Sequence, residues 1–289
     1  TNKRTGNETA TNYNGIINST LSSGSWFRFY VEKSGVYKLN KSFIQSLGLD
    51  LNGVNPKKIK IFGNGGRMIP LSNSNEYPID NEENAIQVIG EDDGVFNDTD
   101  YILFYAEGID TYNSESDTHL NLYTDKSFYY ILADGNNGKR ISEFTQPTGN
   151  STSIITTSDD YQFHEVDLYN IVKTGRRWYG ESFAVDNEQE FEFKCPNISN
   201  TSQAKLKVHL ASASFNLTDF TIKNNDQTVS TLNFPELIAY SGTEAVDLYS
   251  NSLITASETT KIKINFNNNG VPSSKGYLDY ISLEYKRNL

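Results

Sequence analysis

The chain has 289 residues, a net charge of −11, and only 36% apolar residues, yet 18 tyrosines and 16 phenylalanines. That length exceeds a typical single domain, so two are expected, with the aromatic side chains filling their cores. The acidic balance excludes a nucleic-acid binder, which needs a dense basic surface, and suits a soluble or surface-exposed protein that resists self-association. The basic pairs Lys57-Lys58 and Arg176-Arg177 read as solvated surface charge. A single cysteine, Cys195, rules out an internal disulfide, and no run of eighteen apolar residues spans a membrane as a helix. The first residue is Thr1, not Met, which reads as a mature fragment whose targeting segment is gone.

Residues 1–25 are rich in Asn, Thr, Ser and Gly and are expected to form a flexible leader. Alternation of Phe27, Phe29 and Val31 with polar neighbours predicts a half-buried strand. A second strand follows at 35–39, and the Lys33-Ser34-Gly35 turn predicts a hairpin between the two. Asn40 is placed to cap a short helix ending near Leu47, with Gly48 closing it. A strand at 58–62 runs into Gly63-Asn64-Gly65-Gly66, which reads as a hairpin turn. It is not a phosphate loop, because no Gly-Lys-Ser/Thr ending or helix start follows. Further strands are expected at 85–89, 101–106 and 127–133.

Residues 146–160, a run of Thr, Ser, Asn, Gly and Asp, form the expected linker. Beyond it the pattern is almost all strand. The fold expected is mainly β: a β-rich α+β domain with one short helix over 26–150, then an antiparallel, jelly-roll-like β-sandwich over 151–289.

The residues that could carry chemistry are few. Asp92, Asp93, Asn97, Asp98 and Asp100 cluster around Gly94. Ca²⁺ takes six to eight oxygens, and such a cluster can supply them, although the spacing is not that of an EF-hand. The other reading is a surface turn whose Asp and Asn side chains cap their own backbone. Cys195 alternates with Phe191 and Phe193, as a buried structural thiol would. His119, His164 and His209 lie in unrelated segments, and no HExxH, GxSxG or CxxC occurs. Trp26, or Trp178 with Tyr179, could stack on a sugar ring, which makes a carbohydrate-binding or adhesin-type module an alternative function. The segment Gly175-Arg176-Arg177-Trp178-Tyr179-Gly180-Glu181 reads as a join where the second domain packs on the first.

Several of these segments, taken in order, resemble a known family. Trp26-Phe27, the run Ser34 to Leu39, Leu47-Gly48, Asn55-Pro56, Ile59-Lys60-Ile61-Phe62-Gly63-Asn64-Gly65-Gly66, Asp93-Gly94-Val95-Phe96, Asp100 to Tyr105, Gly175 to Glu181, and Gly276-Tyr277-Leu278-Asp279-Tyr280-Ile281 are similar to the region ahead of the peptidase domain in PorU-type sortases. These are gingipain-related cysteine peptidases of the type IX secretion system of Bacteroidota. The resemblance implies a cell-surface protein, on the extracellular face of the outer membrane after signal-peptide removal. Its partners would be a PorV-like outer-membrane β-barrel and secreted cargo bearing a C-terminal sorting domain. The family's catalytic His and Cys have no counterpart in this sequence, so no catalytic residue carries over. The implied role is that of an accessory region that positions the peptidase.

Overall fold

The computed structural model of the chain describes residues 18–289 except 73, 146, 147, 150–152, 201, 202 and 240. It forms two compact units: residues up to Asp117 with Asn121–Thr145, and Thr118–Leu120 with Gln146–Leu289. The expected mainly β character is what the chain adopts, in antiparallel sheets.

The first unit holds β1 (Phe27–Val31), β2 (Gly35–Asn40), α1 (Lys41–Ser46), β3 (Ile59–Phe62), β4 (Glu83–Asn84), β5 (Gln87–Ile89), β6 (Tyr101–Ala106) and β7 (Ser127–Ala133). One sheet runs in the order β1-β7-β3-β4 and the other β2-β6-β5. Phe29, Ile61, Tyr129 and Ile131 of the first share a core with Leu39, Ile102 and Phe104 of the second and with Ile44 of the helix. The helix begins as its sequence requires: the Asn40 side chain accepts from the Phe43 amide at 2.9 Å, and Gly48 follows with φ +104°.

Four sequence expectations for this unit need correction. β1 and β2 are not a hairpin: β1 pairs with β7 and β2 with β6. The chain changes sheet at Lys33 because the loop after β6 takes the turn's backbone groups. Ile109 N–H donates to Glu32 O at 3.2 Å, and Ser34 N–H to Asp110 Oδ1 at 2.8 Å. The strand expected at 85–89 is shorter, β5 at Gln87–Ile89 pairing with β6, and a separate β4 just before it pairs with β3. The Gly63–Gly66 run does not close a tight turn but opens a long loop, and its glycines serve close approach. A Cβ on Gly66 would lie 2.2 Å from the Gly108 carbonyl oxygen, and one on Gly65 2.6 Å from Glu107 Cβ. Finally, residues 1–17 of the expected leader lie outside the described residues, but the rest is held. Ser19 Oγ donates to Asp80 at 3.0 Å, the Thr20 amide also bonds Asp80, and Thr20–Ser22 is a 3₁₀ turn.

The second unit holds β8 (Thr157–Glu165), β9 (Ser182–Phe183), β10 (Glu188–Lys194), β11 (Ala204–Ser212), β12 (Thr218–Asn224), β13 (Gln227–Phe234), β14 (Val246–Ile254), β15 (Thr259–Asn267) and β16 (Gly276–Asn288). β8 shows that the run expected as a linker is already strand from Thr157. The sheets are β10-β15-β12-β13 and β14-β11-β16-β8, with β9 added beside β16. Setting β9 aside, successive strands alternate between the sheets except for the β12–β13 hairpin, in the order of two interlocked Greek keys, which is a jelly roll. Phe193, Phe220, Ile264 and Phe266 of one sheet meet Leu206, Val208, Ile281 and Leu283 of the other in a dry core.

β16 is thirteen residues long and almost entirely buried. It carries a β-bulge: His209 of β11 lies opposite Tyr280, and Leu210 opposite Leu278, so Asp279 has no partner across the ladder. The alternation therefore slips by one residue. Leu278, Ile281, Leu283 and Tyr285 face the sandwich core, and Asp279 and Tyr280 both turn to the other face.

The Gly66–Gly108 contact gives a direct test. Gly66→Ala forces backbone against backbone and is expected to cost about 3 kcal/mol. Gly53→Ala, at φ +71° but with open space around it, should cost only about 1–2 kcal/mol. Urea unfolding of the two variants checks the order; equal midpoints would mean that the close approach does not matter.

Candidate functional site

The acidic loop is a set of caps. Glu91–Asp93 form a 3₁₀ turn between Gly90 (φ +95°) and Gly94 (φ +81°). Asp93 accepts from the Val95 amide at 2.9 Å and from Asn97 Nδ2 at 2.8 Å. Asp100, buried, accepts from the Asn97 amide at 2.7 Å, and a Cβ on Gly90 would sit 2.0 Å from its carboxylate. Asp98 pairs with Lys41 at 2.8 Å, which holds its carboxyl below the usual range, and exposed Asp92 reaches Lys57 at 3.4 Å. Of the five side chains expected to ligate Ca²⁺, Asp93 and Asn97 thus bond each other, Asp100 caps the Asn97 amide, and Asp92 and Asp98 pair with separate lysines. Among the described residues, no group of three or more His, Cys, Asp and Glu is gathered as a metal would require.

Trp178 and Tyr179 also part ways. Trp178 is 39% exposed, but Tyr179 is 3% exposed, with its ring tilted on Tyr277 and its hydroxyl donating to Asp247 at 2.8 Å. Burial raises the Tyr179 phenol, and the Asp247 charge adds to the shift. Tyr179 is therefore a core residue and offers no stacking face. Trp26 is likewise occupied, edge-on to Phe62 with its indole N–H on Ser23 O. The segment 175–181, expected as a join between domains, is bound within its own unit: Tyr179 pairs with Tyr169, and the Gly180 amide donates to Leu278 O.

Cys195 is fully buried at the end of β10, and burial pushes its thiol up. A thiol in that state is neither ionised nor reachable.

The structure's own concentration of ionisable groups lies on the outer face of β16, and the sequence did not disclose it. His119 and His209, distant in sequence, meet Tyr280 edge-on with ring centroids at 4.9 and 5.4 Å. Each imidazole is backed by a carboxylate and stacked on an aromatic ring. His209 Nδ1 lies 2.6 Å from Asp279, with Nε2 3.4 Å from Asp247, and its ring stacks on Tyr249 at 4.0 Å. His119 Nδ1 lies 2.7 Å from Glu165, and its ring stacks on Phe163 at 4.5 Å. The same Glu165 carboxylate accepts from the Thr118 hydroxyl and, at 2.8 Å, from the His119 amide, so it caps the Thr118–Leu120 segment. Arg177 reaches Asp279 at 3.3 Å. His164 stands apart, bonded to Glu181 at 2.8 Å.

Protonation in this cluster follows from burial set against pairing. Burial pulls His209 down, but hydrogen bonds and charges from Asp247 and Asp279 outweigh it, and the imidazole ends above its ordinary value. Burial pushes Asp279 up, with His209 offsetting part of the rise. For Asp247 burial acts upward too, but bonds from His209 and Tyr179 win and hold it low. Asp167 is pushed up to about 6 by burial and by the charges of Glu165 and Asp279. Such a cluster holds a proton tightly between acids. With His209 fully buried, the pairing clamps β11 and β16 together.

A raised histidine stabilises the fold below its unfolded value, near 6.5, and loses that contribution as pH rises through the folded value. A raised carboxyl acts with the same sign: Asp167 contributes fully below about 4 and loses its contribution as pH rises through about 6. Thermal melts should therefore show the second unit weakening from pH 5 to pH 9. Asp167→Asn should flatten the acidic part of that slope and His209→Gln the alkaline part. His209→Ala, which leaves Asp279 buried without its imidazole, should cost about 3–5 kcal/mol. A melting temperature flat across that pH range would contradict the assignment.

No protein-family model matches the sequence, and no curated protein matches it. Among solved structures, the fold is similar to dimeric latent PorU from Porphyromonas gingivalis, with a TM-score of 0.69 at 20% identity. The match covers 94% of this chain and 25% of that one, so the chain spans a quarter of the length of the PorU chain. Two carbohydrate-binding modules named CBM36 give a TM-score of 0.29 each. One is from a multidomain xylanase of the hindgut metagenome of Trinervitermes trinervoides, at 8% identity over 43% of this chain and 96% of its own. The other, solved with calcium and xylotriose, is 14% identical over 45% of this chain and 99% of its own. Likeness that low carries no argument. The PorU match does, at the level of fold, and it agrees with the family resemblance read from the sequence: over 94% of its length the chain has a PorU-like fold.

Proposed function

We propose that this chain is a non-catalytic, accessory region of a cell-surface PorU-like sortase of type IX secretion. In this reading it positions a peptidase domain and contacts either sorting-domain cargo or a PorV-like outer-membrane barrel. The observation that carries the proposal is the PorU-like fold of both units together, covering 94% of the chain at a TM-score of 0.69. Two features of the chain support the accessory role. Its one thiol, Cys195, lies in the jelly-roll core, and its histidines are committed to carboxylates. Nucleophilic catalysis by cysteine needs a reachable thiolate with a base beside it, and neither condition holds around Cys195. No helix of the described residues is long and apolar enough to cross a membrane.

Purified chain incubated with a substrate bearing a C-terminal sorting domain should show no cleavage. Immobilised chain should retain a purified PorV-like barrel or sorting-domain cargo in preference to an unrelated outer-membrane barrel. Cleavage that disappears in Cys195→Ala would sink the accessory role, and failure to retain either protein would sink the partner assignment.

A further inference from the structure

Two clefts of the first unit, of about 580 and 320 Å³, are both lined by Tyr77. They share Gly66, Arg67, Tyr77 and Asn121, so they adjoin as one groove with Tyr77 on the wall of both. Each volume falls in the range of about 300–1,000 Å³ usual for small-ligand sites. Four more tyrosines line the groove: Tyr105 and Tyr112 on one side, Tyr123 and Tyr130 on the other. Tyr105 is 57% and Tyr123 61% exposed. A lone exposed tyrosine needs no explanation, but several converging on one concavity do.

The groove is built and not incidental. The backbone contact of Gly66 with Gly108 forms its floor, and Asn121 pins that floor by donating to Gly66 O at 2.9 Å. Tyr77 is fixed by its hydroxyl on Arg67 O at 3.2 Å, and Asn64 bridges Asp80 O and the Glu82 amide at 2.8 and 3.0 Å. Tyrosine rings held this way contribute contact area at little entropic cost.

The chemistry of the lining selects the occupant. Arg67 is already matched by Glu107 at 2.8 Å, and Lys126 sits 4.5 Å over the Tyr30 ring. With Glu76 also on the wall, the groove offers no surplus positive charge to an anion. Its floor backbone is spent: Gly66 N–H donates to Glu107 O, and Gly66 O and Arg67 O are both bonded by side chains. A peptide strand therefore finds both Gly66 backbone groups and the Arg67 carbonyl already taken. What the lining then presents are aromatic faces and the side-chain amides of Asn75 and Asn81, with the Asn113 amide nitrogen beside them, its oxygen being taken by the Ser116 amide. Amides and hydroxyls both donate and accept, as a polyol requires, and a tyrosine face suits the C–H side of a pyranose.

We infer that this groove, centred on Tyr77, binds an uncharged oligosaccharide, with sugar rings against Tyr77, Tyr105 and Tyr123. The site is separate from Trp178 and does not rest on the sortase reading.

The test presents the full 289-residue chain to an array of neutral and acidic oligosaccharides, then titrates the best neutral one by calorimetry. Binding should fall at least tenfold in Tyr77→Ala and in Tyr123→Ala, and stay within about threefold of the parent in Tyr77→Phe, which keeps the ring. Tyr123→Ala alters an exposed side chain and should leave the melting temperature unchanged, so it decides the matter if Tyr77→Ala misfolds. The inference fails if no neutral glycan binds or if binding survives both alanine variants. It fails equally if only acidic glycans bind and salt abolishes it, or if a random-peptide mixture, and no glycan, occupies the groove.

Discussion

An aspartate in the middle of a doubly buried strand is costly, and the second unit is organised around that cost. Asp279 sits where β16 bulges against β11, so it and Tyr280 both turn away from the sandwich core. An isolated carboxylate there would be several kcal/mol uphill. His209 at 2.6 Å, and Arg177 at 3.3 Å from the covering segment, supply the compensating charge. Asp247 and Tyr179 then complete the shell on the far side of His209. The covering segment, residues 177–181, is fastened beside the bulge: the Gly180 amide bonds the Leu278 carbonyl, just before Asp279, and the Leu278 amide bonds Glu181 O. Gly180 must be glycine for this, since a Cβ would lie 2.9 Å from Val166 O. Beside it, Glu165 repeats the solution in miniature, gathering Thr118 and His119 around one carboxylate.

The first unit depends on a different device, contact of backbone with backbone. Gly66 against Gly108, and Gly108 against Lys33 at 2.4 Å from an added Cβ, bring three loops to one place. This contact also accounts for the missing hairpin. Because Gly108 and its neighbours occupy the side of the Lys33 turn, the chain leaves one sheet and enters the other instead of folding back on itself. The same meeting of loops leaves the concavity that Tyr77 lines. A floor without side chains and a rim of tyrosines are two consequences of one packing choice.

Much of the strand content was legible because alternation is a local property. Phe27/Phe29/Val31 and Phe191/Phe193/Cys195 each place their apolar set on one buried face, as read. The Asn40 cap and Gly48 stop were legible for the same reason, since both act within one turn. Pairing was not legible, because β1 finds its partner at β7 through Phe27 opposite Ile131, a contact that no turn chemistry encodes. Tyr280 hid the bulge by continuing the alternation from Leu278 as if no residue had been added. One signal was there to be used: Asp279 interrupts Tyr277-Leu278-Asp279-Tyr280-Ile281, and a charge in an apolar strand demands a buried partner. Asking which cation could reach it would have pointed to a histidine. It would not have chosen His209 over His119 or His164, because that choice is made across the sheet.

The two units therefore divide burial from access. In the jelly roll His119 with Glu165 and His209 with Asp279 form buried pairs, and Cys195 is buried in the core, so these groups hold strands and loops in place. In the first unit the paired charges lie at the rim of a groove and cancel there, as Arg67 does with Glu107, leaving aromatic faces open to solvent. A partner docked in that groove would meet aromatic faces and no net charge. Such contact depends little on salt, because screening acts on unpaired exposed charge and this groove has little. On an acidic protein of net charge −11, an uncharged groove is where a neutral partner can approach without an electrostatic penalty.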